Sequence, residues 1–266
     1  MARRARGLWS GTLAFGLVAV PVELVSAVRD MDVHFHEVDG RGRRVEVRRV
    51  CAQDGKEVPW EQVGHGYELD GKLVVLSDEE LAAAAPERTR TIEVEEFVPL
   101  EQIDPAAFDH PYYLLAQGGA EGVTRAYRLL RDVMADEQQV AIGRIVMRSR
   151  EQLVAVRERD GLLALSTMRF ADELRDPGET GDVPSGRRAA PRRAEVDRAL
   201  KVIDAMTRDF DPARYEDCHR TRLLRLIRRK QRGGEVEVPA VEPEPEPVSD
   251  LMAALEASLS RVRARA

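Results

Sequence analysis

MDVHFHEVDGRGRRVEVRRVCAQDGKEV, residues 31–58, is the stretch on which the fold reading turns, because it sets five arginines inside a strand-turn-strand pattern. Asp39-Gly40-Arg41-Gly42 is a turn signal, flanked by Val33, Phe35 and Val38 on one side and by Val45 and Val47 on the other, so the spacing predicts a β-hairpin. With the period of two that a strand imposes, Arg43, Val45, Val47 and Arg49 share one face, and Arg44, Glu46 and Arg48 the other. Neither face is cleanly apolar, which excludes a buried core strand. An eight-residue strand reaches roughly 27 Å, more than twice the ~12 Å width of a DNA major groove. Two readings stay open on these residues alone: an arginine-studded arm that lies across a duplex, or a solvated edge hairpin whose charges prevent edge-to-edge pairing.

Upstream, the apolar residues from Leu8 to Val25 read as one strand buried on both sides. Downstream, Tyr67–Leu69 and Lys72–Leu76 meet across Asp70-Gly71, a strong two-residue turn. Ser77 and Glu80 form a capping-box signal for a helix over 78–85, closed by Pro86. Strand patterns follow at 89–99, 111–115, 139–147, 152–157 and 162–170, interrupted by a helix over 120–134 with Val123, Tyr127, Leu130 and Met134 on one stripe. Many short strands with turn signals and few helices predict a mainly β core with added α, as a barrel or a sandwich. The core is expected over 1–172, with an aperiodic connection over 173–194.

A helical segment follows over 195–232. Val196, Leu200, Ile203 and Phe210 line one helix, and Asp211-Pro212 signals the start of a second, whose apolar side is Tyr215, Cys218, Leu223, Leu226 and Ile227. Such faces must be buried on the chain's own core or on a partner subunit. Residues 233–248 contain the alternating run Glu242-Pro243-Glu244-Pro245-Glu246-Pro247, an extended spacer. The last segment, 249–266, is a helix capped by Ser249 with Leu251, Leu255, Leu259 and Val262 on one stripe, short enough to fold on a partner.

The net charge of −6 argues against a uniformly basic coat protein, yet charge is segregated along the chain. Seven basic residues and no acid lie between Arg220 and Arg232, whereas 235–250 carry only acidic charge. Cys51 and Cys218 make no disulfide framework, which suits a reducing cytoplasm. Arg3, Arg4 and Arg6 before the apolar run mimic a secretory leader, but Pro21 and Glu23 interrupt it, and no run is long enough to span a bilayer, so no membrane partner is expected.

No Walker loop, G-x-S-x-G elbow, H-E-x-x-H or helix-opening G-x-G-x-x-G is present. His34 and His36 would share a strand face, but no third metal ligand is evident. A phosphodiester-cleaving enzyme built on them is the weaker reading. What remains is arginine: beside the hairpin cluster, Arg88 and Arg90 flank one strand start, and Arg144, Arg148 and Arg150 surround another strand's end. Converging on one surface, they would make a phosphate track that binds duplex without reading sequence. The alternative is a sequence-specific regulator with the basic helix 220–232 in a major groove.

Read in order, GLWSGTLAFGLVAVPVELVSA (7–27), FHEVDGRGRRVEVRRVC (35–51) with DGKEVPW (54–60), PERTRTIEVEEFV (86–98) and HPYYL (110–114) resemble the prokaryotic Ku family. So do RDGLLALSTMRFADELRD (159–176), DFDPARYEDCHRTRLLRLI (209–227) and SDLMAALEASL (249–259). The resemblance implies a β-barrel core with an extended bridge arm, closing as a homodimer into a ring around double-stranded DNA ends, and a C-terminal helical arm that clasps the other subunit. It implies a non-enzymatic end binder of non-homologous end joining, acting in the cytoplasm at the nucleoid without a cofactor, and recruiting an ATP-dependent DNA ligase. On it, the DNA-facing residues are Arg4, Arg6, Arg43, Arg44, Arg48, Arg49, Arg90, Arg144, Arg148 and Arg150. The ligase-binding residues are Asp250, Leu251, Leu255 and Leu259. Many relatives carry Cys-x-x-Cys where this chain has Cys51 and Asp54, so no metal is expected there. Some also carry a lysine-rich tail after the final helix, which is not expected here.

Overall fold

The computed structural model describes residues 7–86, 89–181, 192–234 and 251–265. Residues 1–31 with 36–176 form one compact unit, and 32–35 with 177–266 a second.

In the first unit, β1 (Gly7–Phe15), β2 (Val18–Ser26), β5 (Thr91–Pro99), β6 (Phe108–Ala116), β7 (Gln139–Met147), β8 (Arg150–Arg159) and β9 (Leu162–Met168) close into a barrel. The order around it is β1-β2-β6-β9-β8-β7-β5, antiparallel throughout except where β1 and β5 run parallel and seal it. Of the barrel and sandwich that the strand pattern allowed, the barrel is the one formed. Its interior is filled by Leu13, Val20, Val22, Leu24, Ile92, Leu114, Ile145, Val154, Val156, Leu163 and Leu165, all essentially inaccessible to solvent. Each fully buried aliphatic side chain contributes roughly 1.5–3 kcal/mol, so this interior is the stable part of the unit.

The segment Leu8–Val25, expected as one strand, is two strands turning at Gly16-Leu17. Gly16 sits at φ +56°, and Leu17 is fully exposed at the tip. Both parities of that run are apolar, so alternation did not distinguish one long strand from a hairpin; the left-handed glycine did.

Helix α2 (Glu121–Asp136) covers one end of the barrel, burying Tyr127, Leu130 and Met134, three of the four expected stripe residues, while Val123 packs partly against the core. The Tyr127 hydroxyl donates to the Leu114 carbonyl at 2.7 Å and accepts from the Leu163 amide at 2.9 Å, and Arg131 reaches the Gly161 carbonyl at 3.2 Å. These bonds tie the helix to the C-terminal end of β6 and to the β8–β9 turn.

Between β2 and β5 lies a long insertion, 27–90. It contains the ribbon β3 (His65–Leu69) and β4 (Lys72–Leu76), turned at Asp70 (φ 51°) and Gly71 (φ 74°), and then α1 (Asp78–Ala84) under its Ser77–Glu80 capping box. Over 31–58 the expected continuous hairpin is not formed. Two tight turns take its place, each closed by a single bridge, Val38 with Arg44 and Val50 with Glu57. Asp39 builds the first, accepting from the Arg41 and Arg43 amides at 2.9 Å each. Asp54 builds the second, accepting from the Lys56 amide at 3.1 Å. With no apolar face, a full ladder here has no core to lie on, and an isolated two-stranded ribbon is marginal in water.

The second unit holds α3 (Arg193–Met206), α4 (Cys218–Gln231) and α5 (Leu251–Arg265). The first helix was expected to reach Phe210 but stops at Met206. Asp211-Pro212 opens only the single turn Pro212–Arg214, and α4 starts later, where the Asp217 side chain accepts from the Arg220 amide at 2.8 Å. Two cap signals stand six residues apart, and the later one begins the long helix. The last helix, expected within 249–266, runs over Leu251–Arg265 and packs on α3, where Arg198 pairs with Glu256 at 2.7 Å.

Candidate nucleic-acid interface

Strand direction decides which side chains share an end of the barrel. The end opposite α2 collects the N-termini of β1, β5, β6 and β8 and the C-termini of β2, β7 and β9. The chain leaves this rim after Ser26 into the 27–90 insertion and returns to it at Arg90, whose carbonyl accepts from the Thr12 amide at 2.9 Å. Gly11 permits that approach, since a Cβ there would collide with the Arg90 carbonyl oxygen.

Arg90, Arg148 and Arg150 thus come to one rim from strands far apart in sequence. Arg148 and Ser149 form the β7–β8 turn at φ 51° and 63°, and Arg150 pairs with Met147 across it, so both arginines project from the barrel edge. Sequence reasoning missed two more cations here: Arg29, just past β2, and Arg169, just past β9 and paired with Asp109 at 2.8 Å. No local pattern marks them, because only strand order shows that the two strand exits are neighbours. Among the described residues, Arg29, Arg44, Arg90, Arg148 and Arg150 have no carboxylate within ion-pair distance.

Arg144 differs. Glu95 is the extra residue of a β-bulge in β5, between Val94 opposite Gly143 and Glu96 opposite Ile142. Bulges re-aim side chains, and this one turns Glu95 onto Arg144 at 2.8 Å while Glu151 takes the other side of the guanidinium at 2.6 Å. The hydrogen bond that Arg144 donates to Glu151, with the field of Glu95, pushes the Arg144 pKa up. The cation is shared between two acids, leaving the trio net negative.

The arm arginines are all exposed, but three are engaged. Arg43 pairs with Asp39 at 2.7 Å, Arg48 with Glu57 at 3.0 Å, and the Arg49 guanidinium lies 4.3 Å over the Trp60 ring. The Arg43 amide and side chain hold the Asp39 carboxyl below its usual range, and Lys56 does the same to Asp54, the residue in the place of a second cysteine. Exposed pairs of this kind are weak and screened by salt, so a phosphate competes for the same cations. Arg4, Arg6 and Asp250 lie outside the described residues. Leu251 opens α5, where Leu255 and Leu259 are half-buried.

Among the described residues no three His, Cys, Asp or Glu side chains converge on a metal position, and no helix is long and apolar enough to cross a membrane. The rim gathers arginines from several strands, an arrangement suited to holding phosphates.

Residues 14–198 match the family model described as Ku70/Ku80 beta-barrel domain. The chain is 44% identical over 264 residues to the non-homologous end joining protein Ku of Anaeromyxobacter sp. (strain K), covering 98% of this chain and 87% of that one. It is 42% identical over 260 residues to the protein named Ku 1 of Saccharopolyspora erythraea, covering 97% and 79%. With the Mycobacterium tuberculosis protein the identity is 37% over 265 residues, covering 96% and 94%.

Proposed function

This chain belongs to the Ku family of non-homologous end joining proteins, and on that premise we propose that it binds the ends of double-stranded DNA without reading sequence, as a ring-shaped homodimer, and passes them to an ATP-dependent DNA ligase. The observation that carries the reading is the barrel rim: Arg90, Arg148 and Arg150 have no acid partner among the described residues and stand at the same barrel end as both roots of the 27–90 insertion. Cations on a rim contact phosphates, which give affinity and register and carry no sequence information. The protein does no chemistry on the end in this reading, and no cofactor enters it. The compartment is the cytoplasm, at the nucleoid, consistent with two free thiols, Cys51 and Cys218.

A second copy is supported by apolar surface that the chain leaves uncovered. Val47, Trp60, Leu73 and Val75 of the insertion are each about two-thirds exposed or more. A two-stranded ribbon with that much apolar surface needs a partner, and a second arm supplies one of the same chemistry. In the other unit Leu200, Ile203 and Met206 of α3 are more than half exposed, as a subunit clasp would be in a single chain.

The test is electrophoretic binding to a linear fragment and to a covalently closed circle of the same sequence. Binding confined to the linear form is expected; equal affinity for both sinks the end-threading reading. Removal of 249–266 is expected to leave DNA affinity unchanged and abolish stimulation of the ligase, measured as ligated product per unit time. Unchanged stimulation would remove the ligase role from that segment.

A further inference from the structure

Helix α4 and its C-cap carry Arg220, Arg222, Arg225, Arg228, Arg229, Lys230 and Arg232 with no acid between Cys218 and Gly234. Among the described residues none of these seven cations is paired with a carboxylate, unlike Arg43, Arg48, Arg144 and Arg169 of the other unit. Compensation of the helix dipole needs only about half a charge at the C-terminal end, so it does not account for seven. The cations also sit against one another: Arg225 and Arg229, and Arg228 and Arg232, are i,i+4 neighbours, a spacing at which like charges destabilise a helix. A helix that keeps such repulsion has a use for the charge.

The arrangement says which use. Thr221, Arg225, Arg228 and Arg232 follow one another at intervals of four, three and four residues, which places them on a single exposed face. Together with Arg229 and Gly234 they line an open groove of about 540 Å³. The Gly233 amide donates to the Lys230 carbonyl at 3.0 Å and the Gly234 amide to the Arg229 carbonyl at 3.1 Å, closing the helix so that Arg232 stays on the stripe. Leu223, Leu226 and Ile227 occupy the opposite side, leaving it for protein contacts.

We propose that this arginine stripe is a second DNA-backbone contact, separate from the barrel rim, that lies along one strand of a duplex. It takes its ligand class from the end-binding reading above. Eleven residues of helix rise about 16 Å, close to five base pairs at ~3.4 Å each, so the stripe reaches successive phosphates. No Phe, Tyr or Trp lies within α4 to stack an unpaired base, and its imidazole, His219, falls off the arginine stripe, which favours duplex over single strand. Planar guanidinium groups fit phosphate oxygens in pairs, which a stripe of lysines would not do.

The test compares the full-length wild-type chain with an Arg225→Gln/Arg228→Gln/Arg232→Gln variant, titrated with a blunt duplex from ~0.05 to ~0.2 M salt. Each phosphate contact contributes a slope of about −0.9 in log K against log salt. The variant is expected to be shallower by about 2.7 per chain, which is ~40-fold less loss of affinity over that range. Replacing the same three residues by lysine should restore most of the slope, and circular dichroism should show unchanged helix content in both variants. An unchanged slope in the glutamine variant overturns the proposal. So does an unchanged slope together with lost binding to polyglutamate, which would point instead to an acidic protein partner. Failure of the end-binding reading is seen separately, in wild-type protein that binds closed circles as well as linear DNA.

Discussion

Replacing Arg148 by Asn and Arg150 by Gln is expected to weaken binding to a blunt-ended duplex by about 60-fold per chain at ~0.1 M salt, because each lost phosphate contact removes a factor of roughly 8 there. Two chains in one ring square that effect. The salt slope should become shallower by about 1.8 per chain. The choice of residues separates binding from folding. Arg148 sits at φ 51°, in the left-handed region that asparagine tolerates better than most side chains, so the substitution leaves the β7–β8 turn at least as stable. Arg150 has no acid partner among the described residues to leave behind. Arg144→Gln is the informative comparison: with Glu95 and Glu151 already on its guanidinium, its loss is expected to change affinity far less than loss of either rim neighbour. Affinities from fluorescence anisotropy at several salt concentrations decide it. An unchanged slope in the Arg148→Asn/Arg150→Gln variant would move the contact surface away from the rim.

Tyr127→Phe is expected to cost the barrel about 2–4 kcal/mol, since one hydroxyl serves two buried backbone groups, the Leu114 carbonyl and the Leu163 amide. The ring still fits, so the loss is of hydrogen bonds rather than volume. For a unit of this size it corresponds to a fall in Tm of roughly 4–16 °C, measurable by calorimetry, with the salt slope of DNA binding unchanged. A shift near zero would mean that water replaces the hydroxyl. The same group imposes a pH dependence. Burial pushes the Tyr127 phenol above its ordinary value of 10.0, so the folded state holds that proton more tightly than the unfolded chain. Its contribution is fully present below pH 10.0 and is lost as pH rises through the folded-state value. Tyr112, also raised by burial, adds to the same alkaline loss. In Tyr127→Phe the stability curve should therefore be flatter above pH ~10 than in the wild type.

Several elements were legible before any coordinates. Asp70-Gly71 and the Ser77–Glu80 box specify local backbone geometry by chemistry that acts within a few residues, and both form as read. The stripe of Tyr127, Leu130 and Met134 is legible for a related reason: a helix repeats on itself, so its buried face is written in its own spacing. The arm was legible as a charged protrusion but not in its form. Alternation over 43–49 describes which side chains would share a face if a ladder formed, and whether one forms depends on a partner strand that this segment lacks within its own chain.

Pattern and composition determine most of the barrel's strands, the Ser77–Glu80 cap, the segregation of charge and the family resemblance, because each of these rests on interactions between residues close in sequence or on motifs read in order. The convergence of Arg29, Arg90, Arg148, Arg150 and Arg169 on one rim, and the capture of Arg144 by Glu95 and Glu151, were settled only by the closed order of seven strands. That order is a long-range outcome of packing eleven aliphatic side chains into one interior. A one-residue bulge at Glu95 and a parallel seam between β1 and β5 carry no signal of their own in the chain, yet they decide which cations stay free of acids.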